Sequence, residues 1–109
     1  NYYLKNISSI YKKPFIPNKY VSSWAQFSIL AKSSEHRDQV MSRLHKQNIP
    51  SMIYYKTPLH LQSVYQNLGY KITDFPISED ASSRIFSIPM HPYLESNQQD
   101  LVLGALFDE

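Results

Sequence analysis

Proline is the residue that most limits how this chain can fold. Its seven prolines are spread over most of the sequence, and only two glycines accompany them. Proline lacks an amide hydrogen and fixes φ, so it ends helices and is excluded from the middle of a sheet. The sequence therefore predicts short elements joined by loops. A chain of 109 residues has room for one domain with one modest core.

The composition excludes several kinds of protein. The net charge is only +2 and Lys12–Lys13 is the one adjacent basic pair, so the basic patch of a nucleic-acid-binding surface is missing. There is no cysteine, which rules out disulfides and thiolate zinc sites. No apolar run approaches the roughly 18 residues of a membrane span, and no signal-peptide pattern opens the sequence. We therefore expect a soluble cytoplasmic protein that binds neither nucleic acid nor membranes.

Apolar periodicity assigns the elements of secondary structure. Between 61 and 68 apolar residues recur at helical spacing, and Gly69 follows where a C-cap glycine belongs. The predicted elements, in chain order, are a helix over 1–11, an extended connector over 12–20, a strand over 24–30, a helix from Ser33 or Ser34 to about Asn48, a strand over 51–55, a helix over 61–68, a helix capped by Ser78, a strand over 86–88 and a helix from Ser96 to Leu106. This order predicts an α+β fold in which helices pack on a small mixed or antiparallel sheet of about three strands.

Several polar residues fit roles at helix ends. The pair Ser96–Gln99 has the spacing of a capping box. Glu79 and Asp80 follow Ser78 in the first turn of a predicted helix, where the helix dipole favours acids. We therefore interpret these two acids as helix-stabilising groups rather than as proton donors. The large aromatic residues predicted to lie in the core are Trp24, Phe27 and Phe86.

Three segments carry a family resemblance: SWAQF at 23–27, IPSMIYYKTPLHLQ at 49–62, and DFPISE at 74–79 leading to SIPMHPYL at 87–94. In this order and at these separations they resemble the C-terminal domain of the DegT/StrS aminotransferases. Members use pyridoxal phosphate to transfer an amino group from an amino acid, glutamate in most of them, to a keto sugar nucleotide. The resemblance implies the C-terminal domain of a fold type I aminotransferase. Residues 1–20 would end an inter-domain helix and its connector, and 21–109 would form the small domain.

The resemblance also implies which parts of the enzyme this chain lacks. In the family a large domain supplies the lysine that forms the Schiff base with the cofactor. No lysine here lies in that motif, and Lys56 stands where many members have proline. We therefore expect no catalytic and no cofactor-binding residue, no pyridoxal phosphate bound to this chain alone, and no activity without a large domain on the same or a separate chain.

Four residues are implied to bind the sugar nucleotide. Tyr54 and Tyr55 fall where many members have histidine-tyrosine, on one wall of the substrate cleft. His60 and His91 also match the family pattern. Two structural alternatives stay open. Alternation along a strand would place one of the two tyrosines in the core, and each histidine could order its own loop instead of contacting substrate.

The sequence was also compared with an RNA-binding module and a metal site, and it leaves the origin of the chain open. A small α+β sheet with exposed aromatic residues could stack RNA bases, but the glycine-aromatic signature of such modules is absent. His36, His45, His60 and His91 lack metal-ligand spacing, so no metal site is predicted. Because the sequence starts at Asn1 inside a predicted helix, it could be a short natural product, half of a split enzyme, a fragment, or a non-catalytic remnant. An exposed apolar docking face would then bind the large domain or drive self-association.

Overall fold

The computed structural model describes residues 2–107. Asn1, at the start of the predicted range 1–20, and Asp108 and Glu109, at the end of the predicted range 21–109, lie outside the described residues. The elements, in chain order, are helix α1 (Tyr2–Asn6), strand β1 (Phe27–Leu30), helix α2 (Ser34–Lys46), two 3₁₀ helices (Leu59–Leu61 and Ser63–Leu68), helix α3 (Pro76–Arg84), strand β2 (Ile85–Ile88) and helix α4 (Ser96–Phe107). The predicted α+β class is confirmed.

The sheet is antiparallel and has two strands. Strand β1 pairs with β2 so that Phe27 lies opposite Ile88. The prediction of a strand over 51–55 is wrong, because this segment contributes only Met52, which exchanges backbone hydrogen bonds of 3.1 and 2.7 Å with Ser87. Pro50 and Pro58 stand on both sides of the segment, and proline cannot donate a backbone hydrogen bond to a neighbouring strand. A bridge at Lys12 covers the other edge of the sheet in the same way.

The core lies between one face of the sheet and helices α1, α2 and α4. Phe27 and Phe86 are buried, as predicted. The ring of Tyr3 packs against Phe27 with centroids 5.1 Å apart, and its burial raises the pKa of Tyr3 to about 12. The buried apolar residues are Tyr3, Ile7, Tyr11, Phe27, Ile29, Ala31, Val40, Leu44, Phe86, Ile88, Val102, Leu103, Ala105 and Leu106. The N-terminal helix is therefore part of the same core as the sheet.

Two polar side chains tie the ends of the described chain together. The hydroxyl of Tyr11 donates to the carbonyl of Leu106 at 2.9 Å, and Arg43 Nε on α2 donates to the carbonyl of Ala105 at 3.0 Å. The last carbonyls of a helix have no partner within the helix, so such donors satisfy them. These bonds hold the C-terminal end of α4 against α2 and the N-terminal segment.

Two helix starts differ from the sequence prediction. Helix α3 begins at Pro76 rather than after Ser78, because the fixed φ of proline suits the first helical position. At α4 the reciprocal bond of a capping box runs from the backbone N–H of Glu95 to Gln98 Oε1, at 3.0 Å. This places the box one residue before the predicted Ser96–Gln99 pair.

The predicted helix over 61–68 is 3₁₀ in the structure, and it is interrupted by an extended conformation at Gln62 (φ −69°, ψ 141°). None of its residues is buried. Helices draw most of their stability from packing an apolar face, so an unpacked segment does not settle into a regular α-helix. Gly69 adopts the left-handed conformation (φ 79°) at the C-cap, as the sequence predicts.

Two side chains, Ser33 and the titratable His36, stabilise the start of helix α2. Ser33 caps the helix by accepting the N–H of His36 at 3.1 Å. In turn, His36 Nδ1 accepts the backbone N–H of Lys32 at 3.1 Å, and the imidazole stacks on Tyr11. Burial, followed by the charges of Lys32 and Arg43, lowers the pKa of His36 below its usual 6.5. Protonation would remove the acceptor that holds Lys32.

We predict that His36 makes the domain less stable in mild acid. Because the folded pKa of His36 is lowered, the unfolded chain takes up the proton first, and stability falls as the pH drops below about 6.5. His36→Asn keeps an acceptor near the position of Nδ1 but does not titrate, so its free energy of unfolding should fall less between pH 7 and pH 5. Urea unfolding at each pH measures this, with His45→Asn as control. Equal slopes for the wild type and His36→Asn would contradict the prediction.

Candidate functional site

Two predicted site residues, Tyr54 and His91, lie on neighbouring pockets of one surface. The first, the Tyr54 pocket, has a volume of about 190 Å³ and is lined by residues that include Ala25, Gln26, Met52, Tyr54, Ser87 and Met90. The second, the His91 pocket, has a volume of about 520 Å³ and is lined by residues that include Ser23, Trp24, Ala25, Met90, His91 and Gln99. Ala25 and Met90 line both pockets, so the two pockets adjoin. Together they are called the groove.

Tyr55 continues this groove at the Tyr54 end. Tyr54 and Tyr55 are 52% and 71% exposed, so neither belongs to the core. Both line a further shallow pocket together with Lys56 and Gln62. A tyrosine hydroxyl both donates and accepts hydrogen bonds, and its ring face packs on apolar or C–H surfaces. The structure thus brings Tyr54, Tyr55 and His91 to one accessible surface that offers hydrogen-bonding groups and ring faces.

His60 is placed elsewhere. Its side chain is only 7% exposed, and Nε2 lies 3.5 Å from Glu79 Oε2. The imidazole packs edge-on against Phe75, with ring centroids 4.8 Å apart. It lines a separate aromatic pocket with Tyr65 and Tyr70, and within residues 2–107 this pocket has no lining residue in common with the groove. The structure therefore places His60 beside Phe75 and Glu79 and away from the groove.

Glu79 fixes the loop in front of α3. Its carboxylate accepts the N–H of Thr73 at 2.8 and 3.1 Å and the N–H of Phe75 at 3.1 Å. Thr73 has a left-handed backbone (φ 83°). This conformation is unfavourable for a β-branched residue, and the hydrogen bonds to Glu79 offset its free-energy cost. Asp80 forms an ion pair with Arg84 one turn later, at 2.7 Å. Both acids therefore have structural partners, but only Glu79 lies in the first turn of α3, so the predicted first-turn position of Asp80 is wrong.

Trp24, predicted to lie in the core, packs against the edge of the core and also lines the groove. It is half-buried, and its backbone is left-handed (φ 53°), a conformation that costs about 1–2 kcal/mol for a residue with a side chain. Its backbone N–H donates to Ser22 Oγ at 3.2 Å. Its ring packs on Phe27 with ring centroids 4.9 Å apart and an angle of 30° between the ring planes. Strand β1 therefore begins at Phe27 rather than at the predicted residue 24, and Trp24 lines the His91 pocket. In the sequence, the pair Ser22–Ser23 was the signal for a turn at Trp24, because serine hydroxyls stabilise turns.

The groups available for cofactor or metal chemistry are few. All lysine side chains are exposed, whereas a lysine that forms a Schiff base is activated by a desolvated site or a neighbouring cation. The lysines of this chain therefore do not fit the role of a cofactor-bearing residue. Within residues 2–107 no group of three or more histidine, cysteine or acidic side chains is arranged to hold a metal ion. The helices in this part of the chain are also too short or too polar to cross a membrane.

The chain matches one protein family along almost all of its length. The model of the DegT/DnrJ/EryC1/StrS aminotransferase family matches residues 1–107. A pleiotropic regulatory protein of Geobacillus stearothermophilus is 43% identical over 64% of this chain and 19% of its own length. A dTDP-3-amino-3,6-dideoxy-alpha-D-galactopyranose transaminase of Aneurinibacillus thermoaerophilus is 31% identical over 96% and 28%. A UDP-N-acetyl-3-dehydro-alpha-D-glucosamine 3-aminotransferase of Acidithiobacillus ferrooxidans is 34% identical over 78% and 22%.

Solved structures agree with this assignment. A DegT DnrJ EryC1 StrS aminotransferase of Brucella abortus superposes with a TM-score of 0.82 and 39% identity, covering 96% of this chain and 27% of that chain. Spr1654 of Streptococcus pneumoniae, solved in its PLP form, superposes with a TM-score of 0.81 and 25% identity, covering 96% and 28%. The chain thus spans between 19% and 28% of the length of these relatives.

We predict that Glu79 is required for the order of the 73–75 loop. Glu79→Ala leaves two backbone N–H groups without their acceptor, and the expected loss is about 1–3 kcal/mol of unfolding free energy. Amide hydrogen exchange at Thr73 and Phe75 should accelerate, while exchange at Phe86 should change only with global stability. The matched variant Glu79→Gln keeps one acceptor oxygen and should lose less. Unchanged exchange at Thr73 in Glu79→Ala would refute the role.

Proposed function

The chain belongs to the DegT/DnrJ/EryC1/StrS aminotransferase family, and on that basis we propose that it is the C-terminal small domain of a sugar-nucleotide aminotransferase. Residues 1–20 then end the inter-domain helix and its connector, and 21–109 form the domain. The observation that carries the proposal is the groove that joins Tyr54, Tyr55 and His91. This domain forms one wall of the substrate cleft and supplies no reacting group.

The proposed reaction moves an amino group from an amino acid, glutamate in our proposal, to a keto sugar nucleotide. The relatives from Aneurinibacillus and Acidithiobacillus carry the names of enzymes for dTDP- and UDP-linked sugars, which supports a nucleotide-linked substrate. In the complete enzyme pyridoxal phosphate supplies the electron sink for amino transfer. It would be held by the large domain, because the exposed lysines here do not fit it. The chain alone is therefore inactive.

The groove residues have distinct parts in this proposal. The Tyr54 and Tyr55 hydroxyls hydrogen-bond sugar hydroxyls, and their rings cover the C–H face of the pyranose. His91 donates to a sugar hydroxyl or to a phosphate oxygen beside it. His60 does not reach this surface in the structure, so we assign it to positioning. It packs on Phe75 within its own segment and lies 3.5 Å from Glu79 of α3.

The large domain is the partner that we propose for an apolar face next to the groove. Exposed apolar side chains concentrate in and around the 59–75 segment, and they include Leu59, Val64, Leu68, Tyr70, Ile72 and Ile77. Large exposed apolar patches mark interaction surfaces. Relatives are several times longer than this chain, so a further domain is available to cover the face, on the same or a separate chain. Without it the face would favour self-association.

We predict that this chain does not form a cofactor site by itself. Titration with pyridoxal phosphate should give no stoichiometric aldimine absorbance band, and only the slow non-specific reaction of exposed lysines. Lys56→Ala should behave as the wild type does, as should Lys19→Ala, which removes a lysine from the connector. A stoichiometric band that Lys56→Ala abolishes and Lys19→Ala leaves intact would overturn the proposal that the large domain supplies the cofactor site.

We also predict that the groove binds a sugar nucleotide. Titration with UDP-N-acetylglucosamine, followed by NMR, should shift resonances around Tyr54, Tyr55 and His91. Tyr54→Ala and His91→Ala should each weaken binding by about two- to tenfold, the effect of losing one hydrogen bond. Tyr20→Ala removes an exposed tyrosine from the connector and should leave the affinity unchanged. Shifts absent from the groove, or equal affinities in all variants, would refute the substrate-wall proposal.

A further inference from the structure

We propose that Trp24 is the stacking platform for the pyrimidine base of the sugar nucleotide, at the His91 end of the groove. The inference rests on the proposed function, since it assigns the base to a position in the same groove. The two pockets of the groove differ in size, at about 190 Å³ for the Tyr54 pocket and about 520 Å³ for the His91 pocket. A sugar nucleotide is elongated, with a sugar at one end and a nucleoside at the other. Its two ends suit a small compartment that carries a tyrosine and a larger one that carries an indole.

The indole of Trp24 is fixed before any ligand arrives. The ring packs on the buried Phe27 at 30°, and the backbone N–H of Trp24 donates to Ser22 Oγ, which holds the left-handed backbone. Backbone strain of this kind in a bulky residue is typical of functional sites. A pre-positioned aromatic ring loses little conformational entropy on binding. Trp24 is therefore suited to stack a planar base.

Polar groups beside the indole fit the edge of a pyrimidine. The side-chain Nε2 of Gln99 donates to the carbonyl of Leu94 at 3.2 Å, which leaves Oε1 as an acceptor within the described residues. Uracil and thymine both carry an N3–H donor between two carbonyl acceptors. Gln99 Oε1 can accept N3–H, and His91 or Ser23, which line the same pocket, can donate to a carbonyl.

The names of the relatives narrow the class of base. The Acidithiobacillus relative is named for a UDP-sugar and the Aneurinibacillus relative for a dTDP-sugar. Uracil and thymine differ by one methyl group, which a stacking platform tolerates, because every base presents a π-face. The shared chemistry is a pyrimidine with a 2,4-dicarbonyl edge.

The chain contains a single tryptophan, so selectively excited tryptophan emission reports on this platform alone. Uridine and UDP should quench the emission of Trp24 saturably, and N-acetylglucosamine alone should not. Trp24→Leu should weaken UDP binding, measured by calorimetry, at least about fivefold, the lower range for a lost base stack. Trp24→Phe keeps a ring and should lose less. Circular dichroism checks that both variants retain the fold.

The outcomes separate this inference from the proposed function. If UDP-N-acetylglucosamine binds with the expected dependence on Tyr54 while Trp24→Leu and Trp24→Phe leave its affinity unchanged, the platform is wrong and the proposed function stands. Quenching by N-acetylglucosamine but not by uridine would mean that the sugar, and not the base, lies at Trp24. This result would also overturn the inference. If uridine quenches Trp24 but Tyr54→Ala has no effect on the UDP-sugar, the platform stands and the sugar wall fails.

Discussion

The pairing of β1 with β2 is the interaction on which the other contacts depend. Each strand has four residues and the two are far apart in sequence, while a two-stranded sheet is at best marginally stable in water. The helices make it stable by covering one face, where Phe27, Ile29 and Phe86 are buried. Since side chains alternate along a strand, the opposite face carries Ser28 and Ser87, whose hydroxyls lie 2.7 Å apart. The groove opens beside this polar face, because Ser87 also lines the Tyr54 pocket.

The segment that carries Tyr54 and Tyr55 is attached to this sheet at few points. Before the tyrosines, Met52 pairs with Ser87, and after them His60 is buried against Phe75 and Glu79. Between and beyond these anchors most of the 52–75 segment is exposed. Segments with few buried apolar contacts open at low free-energy cost, so one wall of the groove can adjust while the sheet stays fixed. Covering the exposed apolar side chains with another domain would order this wall.

Local sequence patterns predicted the parts of the fold that local physics determines. Helix α2 is capped by Ser33, one of the two predicted candidates, and Gly69 takes the predicted left-handed conformation, because both depend on neighbouring residues only. The prediction of a strand over 51–55 was wrong, since alternation cannot reveal how many residues of a segment find a pairing partner, and here only Met52 pairs. The arrangement of the candidate site is long-range in the same way. Tyr54 and His91 line adjoining pockets that share Ala25 and Met90, and no local pattern contains this arrangement.

The chemistry of the groove explains why a family enzyme needs more than this domain. Among the described residues, the groups that the groove offers are hydroxyls, an amide, an imidazole and aromatic rings, and such groups orient a polar ligand. Amino transfer also requires a group that bonds covalently to the cofactor and moves a proton, and a lysine in that role must be activated in a shielded site. Here every lysine faces solvent, and burying one would require a second surface to close over it. In the proposed function, recognition and reaction therefore separate physically: this domain would bind the substrate, and conversion would depend on the large domain that docks against it.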